Sequence, residues 1–170
     1  MDKHVDANAN HTAAKFVWEL IKDIRFAMFT TRNTNDHLHA WPMTMQNKSF
    51  DDGKLWFFMS RSSEAVLELQ ANPMVGVAFA DPGKDTYVSL SSTARVVDNQ
   101  IKAQELWSKM NEAWFKNGVN DPDLALVEVS IVHGHYWDVK ESKVTQLVLM
   151  AKAAMTGEQP KLGESGEVRL

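Results

Sequence analysis

The sequence predicts a mainly β protein with flanking helices, built as one small antiparallel barrel of about six strands. Three observations carry this. Short apolar-rich runs follow one another at hairpin spacing, broken by turn residues. The run Thr86 to Val97 alternates: Val88, Leu90, Ala94 and Val96 fall on one face, and Tyr87, Ser89, Ser91, Thr93 and Arg95 on the other. A half-wet antiparallel strand alternates this way. Helical patterns flank the strands instead of alternating with them as a doubly wound fold requires.

Residues 1–11 are polar and expected to be mobile; residues 12–156 form the domain and 157–170 a tail. From Thr12 to Asp23 the positions Phe16, Val17, Leu20 and Ile21 recur at helical spacing, continued by Ile24. Arg25 to Thr31 is a buried strand, and Arg32 to Asp36 a turn cluster. The stretch from His37 to Ser63 organises the rest. Its two apolar runs, HLHAWPMTMQ and KLWFFMS, are joined through Asp51-Asp52-Gly53 and predict a β-hairpin. Pro42 cannot donate to a ladder and marks an edge or a bulge.

The second run feeds a helix, EAVLELQA, capped by Ser62 or Ser63 and stopped at Asn72-Pro73. Met74 to Ala80 is a strand and Asp81-Pro82-Gly83 a turn, followed by the alternating strand. Asp98 then caps a helix whose stripe is Ala103, Leu106, Trp107, Met110, Ala113 and Trp114, closed by Asn117-Gly118. Leu124 to Asp138 is a long strand bent near Gly134, and Val144 to Met155 a last helix. The tail from Gly157 reads as extended or mobile.

Composition excludes several classes. A net charge of −4 leaves no electrostatic footprint for nucleic acid or an anionic membrane. No apolar run approaches a membrane span, and the N-terminal residues show no signal core, so a cytoplasmic location is expected. There is no cysteine, so disulfides, thiolate nucleophiles and Cys-ligated metals are excluded. No G-x-S-x-G, G-x-x-x-x-G-K-[ST] or G-x-G-x-x-G occurs, and no catalytic residue can be named. Two His-x-His pairs, His37/His39 and His133/His135, could each turn two imidazoles to one face of a strand. They are taken as strand-end or surface histidines with local hydrogen bonds, and no metal site is expected. At Arg61-Ser62-Ser63 a cation, two hydroxyls and a helix N-terminus coincide, either as an anion seat or as a plain N-cap. Glu64 would repel a dianion there.

The pieces HAWPMTMQ, LWFFMSRSSEAVLELQANPMVGVAFAD, YVSLSSTARVVD, ELWSKMNEAWF, DPDLALVEV and HYWDV, in this order, resemble the pyridoxamine 5′-phosphate oxidase-like FMN-binding split barrels, in particular the bacterial general stress protein branch. The resemblance implies a six-stranded split barrel and a homodimer with FMN, or alternatively FAD, at the interface. By position, Trp41, Pro42, Met43 and Thr44 would run along the flavin ring. Phe58, Met59 and Ser60 would follow the ribityl chain, and Arg61 and Ser63 would approach the phosphate. Trp114 and Phe115 would close the site from the partner. The branch usually carries basic residues where this chain has His39 and Trp41, and lysine at Ala65. Each lost charge-assisted contact costs about 1.5–3 kcal/mol, so two losses weaken FMN roughly a hundredfold. The functions so implied are a flavin-dependent oxidoreductase or flavin carrier linked to stress, or a non-catalytic module for another planar ligand such as a deazaflavin or tetrapyrrole. An interaction protein without a small ligand is the third.

Overall fold

The computed structural model describes residues 7–160 and 162–170. Helix α1 (Ala7–Ile21) is followed by β1 (Phe26–Arg32), β2 (Leu38–Thr44), β3 (Lys54–Ser60), α2 (Glu64–Ala71), β4 (Met74–Asp81) and β5 (Thr86–Val97). Then come α3 (Gln100–Leu106), two 3₁₀ turns, β6 (Leu124–Asp138), α4 (Lys143–Thr156) and β7 (Glu164–Arg169). The helix thus begins inside the segment expected to be loose, and residues 1–6 lie outside the described part.

The six-strand path runs β2-β1-β4-β5-β6-β3, all antiparallel. Phe29, Phe57, Phe79, Leu90, Val77 and Val127 are all less than 2 % exposed and fill its interior. The predicted alternation of β5 holds along most of the strand, from buried Thr86 to exposed Arg95. Among the described residues no helix is long and apolar enough to cross a membrane.

The hairpin expected between β2 and β3 does not form. β2 pairs with β1, β3 pairs with β6, and the two lie at opposite ends of the path. Among the described residues they are joined by backbone pairing only just past β2, at the bridge Met45–Phe57, beside which Gln46 N–H donates to Trp56 O at 2.8 Å. The reason is length. The connection from Met45 to Gly53 is a long excursion held by its own bonds, Asn47 Nδ2 to Lys54 O and Trp56 N to Asn47 Oδ1, and not a two-residue turn. One bridge closes the barrel at one end and leaves it split along the rest of β2.

Helix α3 is also shorter than its stripe suggests. Its N-cap is Asn99, not Asp98, and it stops at Leu106. Lys48 Nζ donates to Glu105 O and Trp107 O, satisfying carbonyls that a longer helix would have used. Trp107 then turns onto Phe58 and Phe115, with ring centroids 5.5 and 6.4 Å away. The chain continues as a 3₁₀ turn, Lys109–Ala113, fixed by buried Asn111 bonding to Gln46. These contacts outweigh the helical period. Of the two states expected for the tail, extended or mobile, its second half takes the first: β7 adds to the distal half of β6, on the edge whose proximal half holds β3.

Candidate functional site

Of the candidate residues, Trp41, Pro42, Met43 and Thr44 lie on β2, beside the split. Among the described residues β2 has a ladder partner on one side only, which leaves most of its outer edge unpaired; Pro42 has no N–H to offer there, and Thr44 O accepts from Gln46 Nε2 at 3.1 Å. Register with β1 sets the directions of its side chains. His39, Trp41 and Met43 oppose Thr31, Phe29 and Ala27, which point inward; Trp41 and Met43 pack on the barrel core. Pro42 opposes Met28 on the outer face. There it borders an apolar groove of about 360 Å³ with Phe26, Met28, Tyr87, Ser89 and Trp137. Thr44, opposite Phe26, completes the strand.

Helix α2 follows β3 and packs against β1, β3 and β5. Its buried face is Ala65, Val66, Glu68 and Leu69. Glu68 is only 8 % exposed, and its carboxylate ends a chain of polar contacts. Trp41 Nε1 donates to Thr31 Oγ1 at 2.9 Å, and Thr31 Oγ1 donates to Glu68 Oε2 at 2.5 Å. His39 Nδ1 lies 2.9 Å from Glu68 Oε1, but the approach is poorly aligned for a hydrogen bond, so the contact is electrostatic and counts as an ion pair only with a protonated imidazole. Glu64 stands in the same cluster.

The expected anion seat is organised around a different anion. Ser63 caps α2 by accepting from Val66 N at 3.3 Å. Asp123, from the turn before β6, accepts from the Ser62 N–H at 3.0 Å and from the Ser60 hydroxyl. These donors, Ser60 first and then the Ser62 amide, hold the Asp123 carboxyl below the usual aspartate range. Arg61 donates to Leu124 O at 3.0 Å and lines a cleft of about 240 Å³ with Val97, Gln100, Asp121 and Leu126, beside α3.

The remaining candidates divide between two surroundings. Met59 points into the barrel core, whereas Phe58 points out beneath α3, so the two side chains leave β3 on opposite faces. Phe115 is buried in its own chain beside Trp107, while Trp114 is 82 % exposed. Sequence reasoning missed Thr31, Glu68 and Asp123. Glu68 carried a signal, a charge three residues beyond Ala65 on the apolar face of its helix; Asp123 had none beyond its turn.

The fit to a flavin is uneven. A free strand edge beside an apolar groove suits a tricyclic ring with a polar rim. The phosphate end fits poorly: Glu64, Glu68 and Asp123 contribute negative charge around α2's first turns, and Arg61 is tied to a backbone carbonyl. A pH test follows for Asp123. Its folded-state pKa is depressed, so its contribution is complete above the unfolded value and is lost as pH falls through the folded one. Urea midpoints should therefore fall more steeply between about pH 5 and 2 in the native chain than in Asp123→Asn. Parallel curves would show that this carboxylate does not anchor the β3–α2 corner.

Comparison with known proteins agrees with this architecture. The family model described as pyridoxamine 5′-phosphate oxidase like matches residues 12–161. A provisionally assigned general stress protein 26 from Jannaschia sp. CCS1 superposes with a TM-score of 0.73 at 26% identity, over 90% of this chain and 95% of that one. The general stress FMN/FAD binding protein of Xanthomonas citri superposes with a TM-score of 0.66 at 30% identity, over 78% of this chain and 92% of that one. Protein bli-3 of Neurospora crassa is 21% identical over 153 residues, 85% of this chain and 73% of its own. With its split barrel and the family match over most of its length, the chain belongs to the pyridoxamine 5′-phosphate oxidase-like family.

Proposed function

We propose that this protein binds a flavin as a homodimer, with the ring along the free edge of β2 and the second copy covering the outer apolar face. The unpaired β2 edge beside the groove at Pro42 carries the reading. The 30% identical Xanthomonas citri relative, an FMN/FAD binding protein, supports it. Phe26, Met28, Tyr87 and Trp137, 39–66 % exposed residue by residue, form an apolar surface on that face that a second copy could cover. Trp114, projecting from the 3₁₀ turn, is available to the partner's site; Phe115 is not.

When bound, the flavin supplies the redox chemistry, as an oxidoreductase or carrier linked to stress. The chain's part is to hold the ring's polar rim with β2 amides and carbonyls and to exclude water with Trp41, Met43 and Pro42. FMN is held weakly, because the residues around α2 repel its phosphate. This acidic corner favours a second reading, a module for a planar ligand without phosphate. Equilibrium dialysis against FMN, FAD and riboflavin tests both. Uptake of any flavin, with FMN no tighter than riboflavin, is expected. If none binds and the protein runs as a monomer on size-exclusion chromatography with light scattering, the flavin reading is wrong.

A further inference from the structure

The proposed flavin site makes no use of His133, His135 or the strand that the tail forms. Between Ser91 and Ser92 the β5–β6 register shifts: Ser91 opposes His133 but Ser92 opposes Ile131, leaving Val132 as the extra residue of a bulge. Beyond the bulge His133 and His135 sit two apart on one strand, so both ride the same outward face. Gly134 between them faces inward, where an added Cβ would come within 2.7 Å of Leu90 Cδ2. The imidazole rings meet edge to face with centroids 4.8 Å apart.

β7 completes the cluster. Its Glu167 is the cross-strand partner of His135, and its carboxylate is hydrogen-bonded to His133 Nε2. One ligand atom from each of the three residues lies within 4.8 Å of the other two. A simple ion pair between Glu167 and His133 has no need of a second imidazole; a metal ion does. Bonds of about 2.0–2.1 Å at tetrahedral angles need ligand atoms roughly 3.3 Å apart. His135 and Glu167 are exposed, so their side chains can rotate to close that difference.

We propose that His133, His135 and Glu167 bind a divalent transition-metal ion of the zinc, cobalt or nickel type at the β6–β7 seam, with water completing the coordination. Two imidazoles and one carboxylate suit these ions and suit magnesium poorly. Trp137 stacks on His135 with planes 26° apart and restrains that ring. Arg169, whose Nη2 lies 3.3 Å from Glu167 Oε1, competes with the ion for the carboxylate. The second His-x-His pair is different. His39 has two carboxylates but no second imidazole in its cluster, and Glu68 is already engaged by Thr31. It serves as an internal control.

The test uses tag-free full-length protein stripped with EDTA, then dialysed against zinc or nickel. One ion per chain is expected, with a rise in melting temperature on the order of 5 °C at saturation, and no rise with magnesium. His135→Ala and Glu167→Gln should each abolish the rise while leaving the metal-free melting temperature close to the native one. Arg169→Ala should lower the half-saturating zinc concentration several-fold, and His39→Ala should leave it unchanged. No metal-dependent rise in the native protein would overturn the site. So would a rise that persists in both ligand variants, or one that disappears in His39→Ala instead.

Discussion

Phe57→Ala is expected to destabilise the protein by about 3–5 kcal/mol, the range for deleting a buried aromatic ring. For a chain of this size that lowers the melting temperature by roughly 6–20 °C. Phe57 is 0 % exposed. It sits edge to face against Phe29, with centroids 5.4 Å apart, and opposes Val127 on β6. It also provides the single bridge, to Met45, that joins the two ends of the strand path. The lost ring therefore opens a cavity where the barrel is narrowest in connection. A second signature should follow: faster amide exchange at Gln46, whose N–H bonds to Trp56 O beside that bridge. Trp114→Ala is the control. That side chain is 82 % exposed, and its removal should cost no more than about 0.5 kcal/mol. A loss below about 1 kcal/mol for Phe57→Ala would place barrel closure elsewhere.

What the sequence revealed and concealed follows from range. β5 was legible because its alternation is a local period, imposed by one wet and one dry face. The Asn72-Pro73 stop and the Ser63 cap are likewise local chemistry. The partner of β2 was not legible, because strand pairing is decided by which faces bury together and not by which runs are adjacent. The truncation of α3 depends on Lys48, more than fifty residues away in sequence, reaching its C-terminal carbonyls. The same holds at the candidate site. Ser63 and Arg61 could be found as a motif, but Asp123 reaches the seat only because Ser60 pairs with Leu124. The third member of the histidine cluster sits in a charged, glycine-containing tail that only its pairing with β6 turns into a strand.

Glu68→Gln is expected to move stability and ligand preference in opposite directions. In the native chain the carboxylate accepts from Thr31, which in turn accepts from Trp41, and it faces His39 at 2.9 Å. Glutamine keeps an acceptor for Thr31 but turns an amide N–H₂ toward a crowded polar corner, at a cost of about 1–3 kcal/mol in the ligand-free protein. The same change removes one negative charge from the corner where α2 begins. If the flavin phosphate comes to that corner, each unit of repulsion removed is worth about 1–2 kcal/mol at an effective dielectric of about 20, on the order of tenfold in affinity. Riboflavin carries no phosphate, so its affinity should scarcely change. The ratio of riboflavin to FMN dissociation constants, not either constant alone, is the measurement, because it cancels any general loosening of β2. A rise of about tenfold places the phosphate beside α2 and makes the acid the cause of weak FMN binding. An unchanged ratio, with FMN still bound, would mean that the phosphate leaves the ring in another direction; Arg61 and its cleft beside α3 would then be the place to look.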